Sequence, residues 1–258
     1  MIACWAILLR CGAKLVLEGY YSMQDNENPF IKAFQDPEAV ARYPEGPPRF
    51  TPGFADLHKM ATILLSERVP RDASVLVLGA GGGLELKAMC AAKPGWRFEG
   101  VDPAGEMVRL AKGMLGDDAP RVNFVQGYIE DASEGPFDGA VCLLTLHFLN
   151  AEDRMKTIRD VHRRLKPGAP FVVAHSSFPQ EEDQRDLWLS RYEAFAVASG
   201  VEVEIAHQAR TMVADRVELM SPEADEQFLR DGGFSDVQLF YAALTWRGWV
   251  AYSDGPSQ

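Results

Sequence analysis

The chain has 258 residues, of which 47% are hydrophobic and 24% charged, and it carries a net charge of −11. This composition is typical of a globular protein and excludes disordered, collagen-like and coiled-coil chains. The acidic excess disfavours broad binding to nucleic acids or to anionic membranes and leaves open only a local basic patch for a folded RNA.

The first 22 residues differ from the rest of the chain. Their apolar run, Ile2–Leu9, is too short to span a membrane, and no basic residues precede it as they would in a signal peptide. Met23 opens a polar stretch of the kind that begins many cytoplasmic proteins. We therefore predict that Met23 is the natural start and that residues 1–22 are an upstream extension. The alternative is an amphipathic extension that packs on the domain.

The next segment, residues 23–53, is rich in proline and predicts an arm of short helices between breaks. Apolar residues then recur at helical spacing over Phe54–Arg68, which predicts an amphipathic helix that ends before Pro70.

From Ser74 onward, short apolar runs alternate with helical patterns. The predicted strands are Ser74–Leu78, Arg97–Val101, Val122–Gln126, Gly139–Leu144 and Phe171–Ala174. The predicted helices among them are Leu84–Ala92, Ala104–Met114 and Ala151–Leu165. Strands that alternate with helices of this length indicate a parallel sheet covered by helices on both faces.

The pattern changes after the fifth strand. A long charged helix is predicted over Gln180–Ser199, followed by a polar stretch without a predicted element. A short helix over Pro222–Asp231 has Ser221 as its expected N-cap. Two strands close the chain, Val237–Ala242 and Gly248–Tyr252, and because only a few residues separate them they must be antiparallel neighbours.

The strongest chemical signal is a glycine-rich turn between the first strand and its helix. Glycines at Gly79, Gly81 and Gly83 let the backbone approach a ligand, and the helix start offers free N–H groups. A dinucleotide-binding loop has a glycine at its sixth position, which counted from Gly79 is Leu84 in this chain. The spacing therefore favours a nucleoside with an amino-acid tail, and a merely flexible loop is the alternative.

Further candidates follow the next strands. Asp102 ends the second strand, where a carboxylate can accept hydrogen bonds from ribose hydroxyls, and a helix N-cap role ahead of Pro103 is compatible with this. Met107 offers a soft apolar surface to a flat ring. Tyr128 follows the third strand and would face the edge of the base, and the fourth strand opens into a helix at the same edge.

Together these features resemble the class I S-adenosylmethionine-dependent methyltransferases over about residues 54–252. The blocks that carry the resemblance are Val75–Glu85, Phe98–Asp102, Phe124–Asp131, Phe137–Leu149, Leu165–Val173 and Leu229–Phe234. The resemblance implies an α/β fold, a doubly wound, Rossmann-like, seven-stranded and mostly parallel sheet with an antiparallel last strand. It also implies a set of cofactor-binding residues: Gly79, Ala80, Gly81, Gly83, Asp102, Pro103, Met107, Tyr128, Ile129 and Leu143. The chain departs from the family at Val77, where an acid usually helps to hold the methionine amino group.

Methyl transfer needs a positioned acceptor, exclusion of water and at most a base, so a conspicuous catalytic cluster is not required. His147 and His175 follow the fourth and fifth strands and are the candidate catalytic residues, with structural packing as the alternative for each. We expect His58 and His162 to be solvated. No metal-binding pattern is visible.

Within this fold the chain also resembles the carboxy-S-adenosylmethionine synthases that act in tRNA wobble-uridine modification. The match lies in Arg49–Phe54, Leu144–Leu149 and the spacing from Gly200 to Arg210. The resemblance implies that Arg210 binds the extra carboxylate of a carboxylated cofactor across a homodimer. The alternative is a surface ion pair of Arg210 with Glu204 or Asp215.

Two departures decide the order of the hypotheses. Phe54 stands where the subgroup has an aromatic residue with a hydroxyl group. Leu143 stands where the subgroup has a polar residue on the fourth strand. We therefore predict a cytoplasmic methyltransferase that transfers a methyl group from S-adenosylmethionine to a small-molecule acceptor. The second hypothesis is an enzyme similar to the carboxy-S-adenosylmethionine synthases, with a carboxylated derivative of the cofactor. An NAD-binding enzyme and a non-catalytic nucleoside-binding module are the other classes, which cofactor titration would separate.

Two segments are expected to cover the cleft, the arm and an insertion at residues 178–220. We predict residues 54–258 to form the cofactor-binding domain. The aromatic residues of the insertion, Trp188, Tyr192 and Phe195, are expected to be core. Cys90 and Cys142 stand in apolar surroundings that fit a reducing cytoplasm.

Overall fold

The structure, a computed structural model, describes residues 34–254. The predictions on residues 1–22 and on Met23 lie outside the described residues, as does the first part of the arm. Among the described residues no helix is long and apolar enough to cross a membrane.

The predicted helices and strands occur in the described chain in the predicted order, and α8 is an additional helix. The helices are α1 Pro37–Ala41, α2 Pro47–Phe50, α3 Phe54–Ser66, α4 Leu84–Ala92, α5 Gly105–Leu115, α6 Ala151–Arg163, α7 Glu182–Ala198, α8 Val203–Arg216 and α9 Pro222–Asp231. The strands are β1 Ser74–Leu78, β2 Arg97–Asp102, β3 Val122–Gln126, β4 Gly139–Leu143, β5 Pro170–Ser176, β6 Phe234–Ala243 and β7 Trp246–Ser253.

All seven strands form one sheet in the order β3-β2-β1-β4-β5-β7-β6. The first five pair in parallel with one another, while β7 is antiparallel to both β5 and β6. The predicted doubly wound sheet with an antiparallel last strand is therefore confirmed. Because β1 lies between β2 and β4, the chain changes direction across the sheet there, and a crevice opens at the carboxyl ends of β1 and β4.

The central strands are buried on both faces, which explains why they read as continuous apolar runs. Val77 of β1 belongs to the core on the side of α3, α4 and α7. Its neighbour Leu76 points to the opposite core, together with Ile158 of α6 and Leu229 of α9. Strand β1 and helices α4 and α9 have the predicted bounds, and the Ser221 hydroxyl caps α9 by accepting a hydrogen bond from the Ala224 N–H at 3.3 Å.

One predicted stretch was wrong. The segment after α7, expected to lack a regular element, contains the 14-residue helix α8. The buried residues of α8 are Ala206, Ala209 and Val213. Two of them are alanines, so the apolar stripe is narrow and the sequence signal is weak. The helix packs these side chains into the same core as α7.

Candidate active site

The glycine loop is fixed to the end of β2. The backbone N–H groups of Gly79 and Ala80 both donate to the Val101 carbonyl, at 2.9 and 3.1 Å. Gly79 and Gly83 have φ angles of 71° and 69°, which favour glycine. At Gly79 an added Cβ would also collide with the Thr145 side chain. The glycines therefore allow the turn and leave its backbone close to the end of β4.

Asp102 lies directly beside this loop. Its carboxylate accepts hydrogen bonds from the backbone N–H of Ala104, at 2.9 Å, and of Gly81. A Cβ built on Gly81 would lie 2.6 Å from Asp102 Oδ2 and 3.0 Å from Met107 Cε. Burial raises the pKa of the Asp102 carboxyl to about 6, although the two hydrogen bonds lower it. Asp102, Met107 and the loop thus meet as predicted, with Pro103 half-buried between them.

The loops after β3 and β4 complete the edge. The Gly127 N–H donates to the Asp102 carbonyl at 3.1 Å, which brings the half-buried Tyr128 next to β2. Ile129 is 3% exposed and packs into the core below, and Leu143, the last residue of β4, is also buried. The predicted cofactor-binding residues therefore lie on four neighbouring loops.

The structure adds an acid that the sequence reading missed. Glu85 is the second residue of α4, it is 7% exposed, and burial raises the pKa of its carboxyl to about 8. Its negative charge and that of Asp102 act on each other. Among the described residues neither carboxylate has a Lys, Arg or His within ion-pairing distance. The loop edge therefore carries two close, unpaired acids.

His147 lies in the turn after β4 and is 3% exposed. Its ring centroid is 4.2 Å from that of Phe148 and 5.5 Å from that of Trp246. Burial, and then the nearby charges of His175 and Arg154, hold the pKa of His147 well below its usual range. The imidazole is therefore neutral at pH 7, and its Nδ1 has no hydrogen-bond partner within the described part of the chain.

His175 is also buried, in a polar network. Its Nε2 lies 3.1 Å from Asp225 Oδ1, which also pairs with Arg154 Nη1 at 2.8 Å. Arg154 and Asp225 are almost completely buried, and Arg154 also donates to the Glu218 carbonyl at 2.8 Å. This network ties β5 to α6 and α9. It brings His175 near His147, since the charge of His175 acts on His147.

Two histidines expected to be solvated are not. His58 is 6% exposed, its ring centroid lies 4.5 Å from that of Phe54, and burial lowers the pKa of His58 to about 4. His162 is half-buried, with its ring centroid 5.2 Å from that of Phe234. The prediction that these side chains are solvated was wrong, because α3 and α6 pack against the rest of the domain on the faces that carry His58 and His162.

Arg210 does not point to the glycine loop. It pairs with two carboxylates of α7, Glu193 at 3.1 Å and Asp186. These are not the partners Glu204 and Asp215 named as the alternative, although the interaction is of the same kind. Phe54, the other residue expected on the substrate side, begins α3 and is half-buried.

The described part of the arm lies across the carboxyl edge of the sheet. A Cβ built on Gly82 would lie 2.6 Å from the Tyr43 ring, so this ring covers the glycine loop. Further along, the Phe50 carbonyl accepts a hydrogen bond from Trp246 Nε1 at 2.9 Å, and the Phe50 ring lies 5.5 Å from that of Tyr192. Tyr192 is buried, as expected for a core residue, while Trp188 and Phe195 are half-buried.

A separate groove of about 280 Å³ lies at the opposite, amino-terminal edge of the sheet. Its lining includes Ser74, Glu99 and Asn123, and none of the predicted site residues. The candidate site is therefore the edge formed by the glycine loop and the ends of β2, β3 and β4, where parallel sheets bind ligands.

The chain is similar to known methyltransferases and carboxy-S-adenosyl-L-methionine synthases. Residues 75–168 match a family model described as a methyltransferase domain. The chain is 27% identical over 223 residues to the carboxy-S-adenosyl-L-methionine synthase of Chromohalobacter salexigens, covering 85% of this chain and 83% of that protein. It is 23% identical over 227 residues to the synthase of the same name from Staphylococcus epidermidis, covering 88% of this chain and 99% of that protein.

A solved structure shows the same fold. Human N-acetylserotonin methyltransferase, in complex with SAM, superposes with a TM-score of 0.60 at 17% identity, over 98% of this chain and 67% of that chain. At this identity the likeness concerns the fold. The glycine loop and the ends of β1 to β4 all fall within the matched methyltransferase domain.

Proposed function

We propose that the chain is a class I S-adenosylmethionine-dependent methyltransferase, like the proteins it is similar to, and that it transfers the methyl group of S-adenosylmethionine to a small-molecule acceptor. The observation that carries the proposal is the pair of unpaired acids at the glycine loop, Asp102 and Glu85. A sulfonium with an ammonium group is cationic and is attracted to the Asp102 carboxylate, and to Glu85 once that carboxyl has released its proton, whereas the pyrophosphate of a dinucleotide is repelled.

The residues present fit this cofactor. Asp102 would accept hydrogen bonds from the ribose hydroxyls, and Met107 and Tyr128 would lie against the base. Glu85 would attract the ammonium group from the side of α4, which supports binding in a chain that has Val77 in place of the usual acid. When bound, the cofactor supplies an electrophilic methyl group that is already activated. The chain then has to orient the acceptor and exclude water.

We propose different roles for the two candidate histidines. His147 is neutral, and its Nδ1 is free to accept a proton or a hydrogen bond at the end of β4. Its lowered pKa makes it a weak base, so a role in orienting the acceptor is favoured over full proton removal. His175, beside Asp225 and Arg154, would hold the floor of the site in place.

A second candidate, synthesis of a carboxylated S-adenosylmethionine, is favoured by the name that the two curated relatives share. In that reaction the extra carboxylate needs a cation, and Arg210 would supply it across a homodimer after leaving Asp186 and Glu193. Because Arg210 is paired within its own chain, we place methyl transfer first.

Mass spectrometry of the ligand that copurifies with the chain tests both candidates. A mass equal to S-adenosylmethionine or its demethylated product supports methyl transfer, and a mass one carboxyl group higher supports the second candidate. Calorimetric titration provides the control, because tight binding of NAD without binding of S-adenosylmethionine would refute both. Arg210→Ala should leave the ligand unchanged if Arg210 only forms surface ion pairs.

A further inference from the structure

A cluster of cationic side chains surrounds Trp188, away from the glycine loop. The guanidinium carbon of Arg191 lies 4.3 Å from the centroid of the Trp188 ring, and that of Arg247 lies 5.4 Å from it. Arg191 follows Trp188 by one turn of α7, whereas Arg247 is the second residue of β7. Two elements far apart in sequence therefore bring two positive charges to one indole, and both arginines are half-buried. We call these three residues the arginine–tryptophan cluster.

The arginine–tryptophan cluster is rich in donors and poor in acceptors. Neither Arg191 nor Arg247 forms an ion pair with a described carboxylate. Arg247 Nη1 donates to the carbonyls of Leu244 and Trp246, at 2.6 and 2.8 Å, which leaves its other N–H groups available. Trp188 Nε1 is buried and has no hydrogen-bond partner among the described residues.

Two other arginines of the α7–α8 pair have acceptors. Arg185 donates to the Ala214 carbonyl at 2.8 Å, and Arg210 pairs with two carboxylates. The chain has 37 acidic residues against 26 basic ones, so partners for a guanidinium are abundant. The nearest acid that acts on Arg247 is Glu223, whose charge raises its pKa, although burial lowers the pKa by more. Two neighbouring cations without a bound carboxylate repel each other, and this arrangement is stabilised when an anion binds between them.

The arginine–tryptophan cluster lies at the same edge of the sheet as the candidate active site. Arg247 pairs in register with His175 at the carboxyl end of β5. Its neighbour Trp246 has its ring centroid 5.5 Å from that of His147 and donates a hydrogen bond to the arm at Phe50. Arg247 is therefore next in sequence to Trp246, whose ring contacts His147 after β4.

We propose that Arg191 and Arg247 form a binding subsite for a carboxylate of the acceptor, with the face of Trp188 beside it. A guanidinium is planar and offers paired N–H donors that match the two oxygens of a carboxylate. The inference deepens the proposed methyl transfer, on which it rests, by naming the acceptor class: a small organic acid. The acidic pair at the glycine loop and the basic pair here then hold groups of opposite charge at two ends of one cleft.

The test uses benzoate as the probe and benzyl alcohol as its uncharged counterpart. Isothermal titration calorimetry on the full chain compares wild type with Arg191→Gln, Arg247→Gln and the double variant. Each single variant should weaken benzoate binding about tenfold, the effect of losing one charge-assisted hydrogen bond. Benzyl alcohol should bind weakly and equally to all. Arg71→Gln, at an exposed position before β1, is the control for the change in net charge.

A second substitution protects the test against misfolding. Arg247→Lys keeps the charge but loses the planar fork, so its benzoate affinity should lie between those of wild type and Arg247→Gln. The proposal is overturned if wild type binds benzoate no better than benzyl alcohol, or if the arginine variants bind it as wild type does. It is also overturned if a single-stranded RNA oligonucleotide, and not benzoate, binds in a way that depends on both arginines.

Titration with S-adenosylmethionine separates this proposal from the proposed function. All variants should retain wild-type affinity for S-adenosylmethionine, because the arginine–tryptophan cluster lies outside the glycine loop. If the chain binds benzoate through the arginines but does not bind S-adenosylmethionine, the proposed function fails and the subsite stands. If the chain binds S-adenosylmethionine but the arginine substitutions do not change its affinity for benzoate, only the subsite fails.

Discussion

Replacing Glu85 by Gln should change how the stability of the ligand-free chain depends on pH. Burial raises the pKa of the Glu85 carboxyl from 4.5 to about 8. Between these values the folded chain holds a proton that the unfolded chain releases. The free energy of unfolding therefore falls as the pH rises from 4.5 to about 8, and the full loss is reached above the folded-state value.

The magnitude follows from the size of the pKa change. Each pH unit in which only the folded chain holds the proton removes about 1.4 kcal/mol of stability, so the upper limit is on the order of 5 kcal/mol. Buried sites relax and admit water when they ionise, so we expect about 1–3 kcal/mol. A Gln amide at this position does not titrate, and it removes this contribution entirely.

Urea unfolding at pH 5 and pH 8 measures the effect. Glu85→Gln should gain about 1–3 kcal/mol relative to wild type between the two pH values. Glu182→Gln, an exposed acid at the start of α7, should follow wild type. Asp102, whose pKa burial raises to about 6, also lowers the free energy of unfolding as the pH rises, and it does so in all three proteins. An identical pH dependence in all three would refute the assignment of a buried, titrating carboxyl at Glu85.

Three further predictions concern the site and its support. Asp102→Ala and Gly81→Val should each weaken S-adenosylmethionine binding by about 1 kcal/mol or more, and unchanged calorimetric affinity in both would show that the cleft is misplaced. Arg154→Met should destabilise the fold by about 3–5 kcal/mol in urea unfolding, since it leaves Asp225 buried without a cation, and a loss below about 1 kcal/mol would contradict this. At pH 7 the binding of S-adenosylmethionine should release a proton from Glu85, so calorimetry in two buffers of different ionisation enthalpy should show a heat difference that Glu85→Gln lacks. An equal difference in both proteins would place the proton elsewhere.

The backbone of this fold could be predicted because its signals are local. The apolar run Ser74–Leu78, the glycines after it and the helix Leu84–Ala92 each identify themselves within a dozen residues, and the structure gives the same bounds. Helix α8 gave no such signal, because its buried face is formed largely by alanines. Its position becomes evident only when α7 is in place to pack against it.

The side-chain chemistry of the site was less accessible, because it depends on contacts between distant segments. Arg154 and Asp225 are 71 residues apart in sequence, and nothing local marks them as partners. The burial of His58 likewise depends on the packing of α3. Glu85 follows the glycines in the sequence, but its burial and the resulting pKa are properties of the folded loop alone.

The distribution of charge along the carboxyl edge of the sheet gives a physical reason for the end of the cleft at which each ligand would bind. At one end, Asp102 and Glu85 are acids without a cationic partner among residues 34–254, and at the other, Arg191 and Arg247 are cations without a carboxylate partner in the same range. A cationic ligand stabilises the ionised form of the two acids, and an anionic ligand relieves the repulsion between the two arginines. A cationic cofactor is therefore favoured at the glycine loop and an anionic acceptor near Trp188. Because opposite charges attract more strongly where water is excluded, closing the cleft over both ligands would draw the reacting groups together.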